Sequence, residues 1–225
     1  HVTFGGGGHS KAIMECLGDG GRLIAFDQDT DALANAFDDK QLTLVHANFA
    51  DLKKFLRLHG ITKVDGILAD LGVSSYQFDT AGRGFSYRFD GPLDMRMNQQ
   101  AGQSASDVLN TYGEDALVNM FSEYGEVPNS KRLAKAVIEK RIIAHFDTIQ
   151  SLMDLLQTTI IGDRWKYLSQ VFQAIRMEVN QETNVLKSFL EQCGEVLKED
   201  GRLAVITFHS IEDRLVKQYM KNGVF

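Results

Sequence analysis

Along the first seventy residues, apolar positions gather into short runs separated by polar stretches. Gly21-Arg22-Leu23-Ile24-Ala25-Phe26-Asp27 is apolar and ends in an acid, Leu42-Thr43-Leu44-Val45-His46 is a second run, and Val64 to Leu71 is a third, almost unbroken one. Runs of this length, bounded by turn residues, predict β-strands. The unbroken third run predicts a central parallel strand covered on both faces. Lys11 to Leu17 predicts a helix, and Gly201 to Phe208 forms another apolar run far downstream. Strands alternating with helices predict an α/β fold with a doubly wound parallel sheet. Val2-Thr3-Phe4 reads as the tail of a further strand, and Phe225 follows a helix directly. Terminal parts of the α/β domain are therefore expected to be missing from this sequence.

The interval between the third and last runs is too long for one crossover helix. Residues 72–97 are rich in Gly, Ser, Asp and Arg and predict a functional loop. From about 101 to 160 the pattern is helical. Ser104 or Ser106 is placed to cap a helix carrying Val108, Leu109, Leu117, Val118 and Phe121. Leu133, Val137 and Ile138 mark a second helix, and Leu152, Leu155 and Leu156 a third. A long amphipathic stretch, Leu168 to Leu197, leads back to the sheet, with Asn180 placed to cap a second helix within it. The expected organisation is a discontinuous core, 1–97 and 168–225, with a helical insertion at 98–167.

Composition narrows the class. A chain of 225 residues with 44% hydrophobic content suits one large domain, or a core with an insertion. Cys16 and Cys193 make no disulfide framework and no zinc-finger spacing, so a reducing cytoplasmic setting is expected and no metal ligand is assigned. No apolar run reaches the roughly 18–20 residues of a membrane span. The net charge of −6 means that any nucleic-acid partner must be held by a local basic patch. A homo-oligomer is compatible with the sequence, which carries no signal for or against one.

Chemistry concentrates at the predicted strand ends. Phe4-Gly5-Gly6-Gly7-Gly8-His9-Ser10 precedes a helical pattern, and Asp27 follows about twenty residues later. Successive glycines let a ligand lie against backbone, and an acid at the next strand end is where such domains hold a ribose diol. The loop is not G-x-G-x-x-G, which favours S-adenosylmethionine over a dinucleotide; a purely structural turn is the alternative. Asn48-Phe49 ends the next strand, with Phe49 either a core residue or a stacking partner for adenine. Asp70 follows the central strand beside Gly72, at the ligand crevice of an open sheet or as a helix cap. Arg83, Arg88 and Arg96 alternate with Asp79, Asp90 and Asp94 in a loop constrained by Pro92, either self-paired or a lid that contacts phosphate or base. Lys131, Arg132, Lys135, Lys140 and Arg141 put five cations against Glu139 alone in eleven residues. They form a solvated helix face or an RNA-backbone patch. His209, after the last strand, is either a satisfied buried histidine or a substrate contact.

Taken together, TFGGGGHS, Asp27, DLGVSS, RGFSYRFDGPLDMRM, VFQAIRMEVN and ITFHSIEDRLVK resemble the bacterial small-subunit (16S) ribosomal RNA cytosine-N4 methyltransferase family, in order and over nearly the whole chain. The resemblance implies a class I, Rossmann-like methyltransferase with an inserted helical, RNA-recognising domain. It implies an S-adenosylmethionine-dependent enzyme that methylates the exocyclic N4 of a cytidine in 16S rRNA, at the decoding centre of the small ribosomal subunit. Matched by motif, cofactor contacts fall on Gly7, Gly8, His9, Asp27, Phe49, Asp70 and Gln77. Candidate catalytic residues are Asp70, then Asp94 and His209, and candidate RNA contacts are Arg83, Arg96, Lys131, Arg132 and Lys135. Three departures stand out. His1 occupies the position of the family's strand-ending Asp, Tyr76 and Phe78 replace the usual Pro and Leu, and KYLSQVFQ replaces HPATRTFQ. A non-enzymatic RNA-binding or ribosome-assembly factor, an NAD-linked oxidoreductase and a small-molecule methyltransferase are the rival readings.

Overall fold

A computed structural model describes residues 1–225. The chain divides into two compact units: His1–Ser74 with Thr183–Phe225, and Ser75–Glu182. Up to Ser74 the order is α1 (Gly8–Cys16), β1 (Leu23–Asp27), α2 (Thr30–Leu33), β2 (Leu42–His46), α3 (Leu52–Leu58) and β3 (Val64–Asp70). The middle of the chain supplies α4 (Ser75–Asp79), α5 (Ala105–Thr111), α6 (Glu114–Asn119), α7 (Ser130–Ile143), α8 (Ile149–Leu156) and α9 (Arg164–Val179). The first unit then resumes with α10 (Glu182–Val196), β4 (Leu197–Ile206) and α11 (Ser210–Asn222).

In the first unit the strands form two parallel pairs. β1 pairs with β2 from Leu23↔Leu42 to Asp27↔His46. β3 pairs with β4 from Gly66↔Arg202 to Asp70↔Ile206, after a register shift at Val64. The segment His1–Phe4 joins them. The His1 amine donates to Ile24 O (3.0 Å), Phe26 N to His1 O (2.9 Å) and Phe4 N to Phe26 O (2.8 Å), while Val2 N donates to Leu68 O (2.9 Å). Hydrogen bonding therefore runs β2, β1, His1–Phe4, β3, β4. The chain reverses its direction of winding between His1–Phe4 and β3, the point at which open α/β sheets leave a crevice beyond their carboxyl ends.

Helix α10 shows how the sequence covers this sheet. Leu186, Phe189, Leu190, Cys193 and Val196 recur at helical spacing, and all are buried in one cluster with Ile24, Phe26, Val45, Ile67 and Ala69. Burial pushes the Cys193 thiol up to about 12, so it is a core group rather than a nucleophile. β3 is covered less evenly than its apolar run predicts: Ile67 and Ala69 are buried, whereas Asp65 and Gly66 are exposed.

The second unit is helical and wider than the 98–167 stretch expected from sequence. Ser104 caps α5 through a capping box with Asp107, as one of the two sequence alternatives proposed. The single helix expected over 104–121 is instead two, α5 and α6, because Tyr112 turns extended (ψ 143) ahead of Gly113. Gly125 allows the following turn to approach α9: a Cβ there would lie 2.6 Å from Gln170 O and 2.9 Å from the Ala174 Cβ. Asn180 does not cap α10. It closes α9 and holds residues 95–97, accepting from Met97 N (2.8 Å) and donating to Met95 O (2.8 Å). That grip fits Met95, a buried non-glycine residue at φ 59.

Phe189 is fully buried beneath the sheet and meets Phe49 edge-on at 5.2 Å. Phe189→Ala is expected to cost about 3–5 kcal/mol. Urea unfolding should show a lower midpoint with unchanged m-value.

Candidate cofactor and substrate site

The carboxyl ends of the central strands carry the predicted chemistry. Gly5 (φ 52) and Gly7 (φ 77) adopt backbone that disfavours any side chain, and a Cβ on Gly7 would press the Phe4 ring at 3.1 Å. Gly6 and Gly8 are different. Neither is left-handed, and a Cβ on either would meet nothing within 4 Å. Neither conformation nor packing accounts for glycine at these two positions, which leave bare backbone facing open space. Gly7 is the N-cap of α1, and no side chain caps that end. The first-turn amides of α1 are therefore left without a side-chain acceptor, as at helix N-termini that receive a ligand.

Asp27 ends β1 and braces this loop. Its Oδ2 accepts from Gly5 N (2.8 Å) and its Oδ1 from Asp29 N (2.9 Å). A carboxylate has about four acceptor positions, and with the Gln28 backbone N–H also bonded to it capacity remains for a ligand hydroxyl. Burial, helped by neighbouring Asp29, raises the Asp27 pKa above the ordinary carboxylate value, against the backbone hydrogen bonds that pull it down.

Asp70 ends β3. Its backbone N–H donates to Thr3 Oγ1 (2.9 Å), and His9 Nδ1 from the first turn of α1 lies 3.3 Å from its Oδ2. Its Oδ1 is shielded from solvent and has no hydrogen-bond partner. The glycine loop thus touches both acids, through Gly5 at Asp27 and His9 at Asp70, with Gly7 and Gly8 between them in sequence. Phe49 sits at the same sheet edge, half-buried with its ring against Phe189. Its polar neighbour Asn48 is already occupied: Oδ1 accepts from Ala50 N and Nδ2 donates to Gln28 Oε1.

Other candidates have structural work. His209 caps α11, and its Nε2 lies 3.3 Å from the buried Glu212 carboxylate, in line with the satisfied-histidine reading. Gln77 is buried within α4 of the second unit. Arg83, expected at RNA, is instead buried; its guanidinium donates to the carbonyls of Arg96 (3.0 Å) and Met97 (3.1 Å). Asp94 and Arg96 pair with each other through two contacts, 2.7 and 3.0 Å. Asp94 also accepts from Arg96 N and Gln99, and these donors hold its carboxyl below the usual range despite burial. Asp94, the weaker candidate for a substrate contact, therefore has its acceptor positions taken within its own loop. On α7, Lys131, Arg132 and Lys135 are exposed; Arg132 also donates to Thr158 O, and Lys135 lies 3.9 Å from Glu139. Arg141 is spent on the carbonyls of Leu109 and Tyr112.

Motif reading passed over two exposed aromatics. Trp165 is 61% exposed, stacked on Tyr87 at 6.0 Å with Arg164 over its ring. Phe208 is 69% exposed just past β4. The chain's lone tryptophan, set between Arg164 and Lys166, was the available signal for the first. The second lies inside the ITFHSIEDRLVK motif, next to His209.

A braced acid beside bare glycine backbone, at the reversal point of a parallel sheet, defines an α/β protein built to hold a nucleotide-type ligand. More specifically, the chain belongs to the MraW methylase family, whose family model matches residues 1–224. It is 54% identical over 225 residues to the ribosomal RNA small subunit methyltransferase H of Flavobacterium johnsoniae, covering all of this chain and 74% of that protein. It is 52% identical to the protein of the same name from Christiangramia forsetii, with the same coverage. Against that of Bacteroides fragilis it is 53% identical over 223 residues, 99% of this chain and 73% of the relative. No helix is long and apolar enough to cross a membrane.

Because its pKa is raised on folding, Asp27 adds stability that is fully present below its unfolded pKa and is lost as pH rises through the folded value. The stability of wild type relative to Asp27→Asn should accordingly grow as pH falls. Paired denaturation curves across the carboxylate range check this, with carbon NMR of the Asp27 carboxyl giving its midpoint.

Proposed function

We propose that this protein is an S-adenosylmethionine-dependent methyltransferase acting on the exocyclic N4 of a cytidine in 16S rRNA, at the decoding centre of the small ribosomal subunit. The single observation carrying the chemistry is the Asp70 carboxylate at the tip of β3, 29% exposed and set beside His9 of the glycine loop. The relatives' shared name supports rRNA as the substrate class.

The residues present fit the cofactor. Gly6 and Gly8 leave room where side chains would stand, and the remaining acceptor capacity of Asp27 suits a ribose hydroxyl. Bound there, S-adenosylmethionine supplies an electrophilic methyl group. The chain supplies orientation and an acceptor. The lone pair of a cytosine amine is delocalised into the ring, so holding the amine in line removes much of the orientational part of the barrier. The exposed edge of the Asp70 carboxylate accepts an N4–H hydrogen bond and takes the proton that nitrogen must shed as the new N–C bond forms and the donor's S–C bond breaks. His9, 3.3 Å from Oδ2, helps fix the carboxylate's rotation. The exposed Lys131, Arg132 and Lys135 offer phosphate contacts, while Asp94, Arg96 and Arg83 serve the architecture of the second unit.

Two substitutions separate the roles. Asp27→Asn should weaken S-adenosylmethionine binding, read by calorimetry, at least about tenfold, as expected for losing a charge-assisted hydrogen bond. Asp70→Asn should slow single-turnover transfer to unmodified small subunits by about a hundredfold or more, with cofactor affinity little changed. Transfer at the wild-type rate in Asp70→Asn removes the acceptor role, and a selective loss of cofactor affinity reassigns Asp70 to anchoring.

A further inference from the structure

Within the ITFHSIEDRLVK motif, the geometry points to Phe208 as the aromatic wall on which the target cytosine stacks while Asp70 receives its amine. This inference rests on the proposed methyltransferase function and deepens it.

Strand register brings Phe208 to the right place. Asp70 is level with Ile206 across the β3–β4 ladder, and Leu71 N donates to Ile206 O at 3.0 Å. Two residues further along each strand, Gly72 and Phe208 meet. Gly72 has φ 94, and a Cβ there would sit 3.3 Å from Phe208 Cδ2. The backbone calls for glycine, and a side chain there would press the ring. One edge of the ring faces this backbone, and Phe208 as a whole is 69% exposed.

Phe208 is also held. Its N–H donates to Glu212 Oε2 (3.1 Å), and the same buried carboxylate lies 3.3 Å from His209, the cap of α11. A large apolar ring displayed to water from a fixed backbone, beside a partly exposed strand-end acid, contributes little to the core. A flat aromatic ligand would cover it. Base-on-aromatic stacking is sequence-tolerant and sizeable, and a base drawn from RNA must be held once it has left its own stack. Phe208 supplies the plane, and Asp70 the in-plane acceptor that picks out the amine. His209 and Glu212 act behind it as positioning residues.

The test uses the full-length protein carrying Phe208→Tyr, Phe208→Trp, Phe208→Leu or Phe208→Ala. Each is assayed for thermal midpoint, S-adenosylmethionine affinity by calorimetry and single-turnover methyl transfer to unmodified small ribosomal subunits. The thermal midpoint and cofactor affinity are expected to hold across the series because the side chain is mostly in solvent. The Tyr and Trp variants should keep most of the rate, while Leu and Ala fall about tenfold or more. An active wild type whose Leu variant matches the Tyr variant overturns the stacking role alone. Loss of cofactor affinity along with rate overturns it too, by making Phe208 part of the cofactor site. A wild type that transfers no methyl to rRNA while binding cofactor overturns the methyltransferase reading, and the stacking role with it.

Discussion

The hydrogen bonds of four residues, His1–Phe4, hold the first unit's architecture together. Without them the strands are two separate parallel pairs, and two-stranded sheets are marginal in water. With Val2 donating to β3 and Phe4 to β1, the pairs become one surface. The glycine loop after Phe4 and the turn after Asp70 then emerge side by side. Thr3 extends the same joint to chemistry, because its hydroxyl accepts the Asp70 backbone N–H. Backbone pairing and acid placement share one short segment.

Polar groups are treated differently in the two units. In the second, Asp94 is matched to Arg96 and Arg176 to Glu182 (2.8 Å). A paired buried charge of this kind fixes geometry more than it adds stability. In the first, Asp27 stays buried although burial opposes its charge, and Asp70 keeps an oxygen with nothing to accept from. A buried acceptor left unpaired costs about 1–3 kcal/mol. Local violations of this kind collect at functional sites.

Much of this was legible in one dimension. β2 lies at Leu42–His46 as its apolar run indicates, and β1 and β3 end on the acids that the pattern marked as strand ends. Period-two and unbroken apolar runs report burial directly, because alternate side chains of a strand face opposite ways. The glycine loop, Asp27 and Asp70 were readable because their chemistry is tied to strand ends. Less legible were the split of α5 from α6, which one extended residue decides, and the task of Asn180, whose partners are some eighty-five residues away.

The sequence by itself determined the class of fold, the family, and the acids and glycines at the tips of its strands, because spacing and residue type survive without coordinates. Only tertiary structure decided that Asp94, in its loop, is saturated while Asp70, at the tip of β3, keeps an oxygen without a partner. Hydrogen-bond satisfaction depends on donors brought together from distant parts of the chain, and no local pattern records it. Asp94 and Asp70 look alike in sequence; Arg96 and Gln99 fill one, and a bare oxygen distinguishes the other. The placement of an exposed phenylalanine on Gly72 belongs to the same class of fact, since it exists only once β3 and β4 are in register.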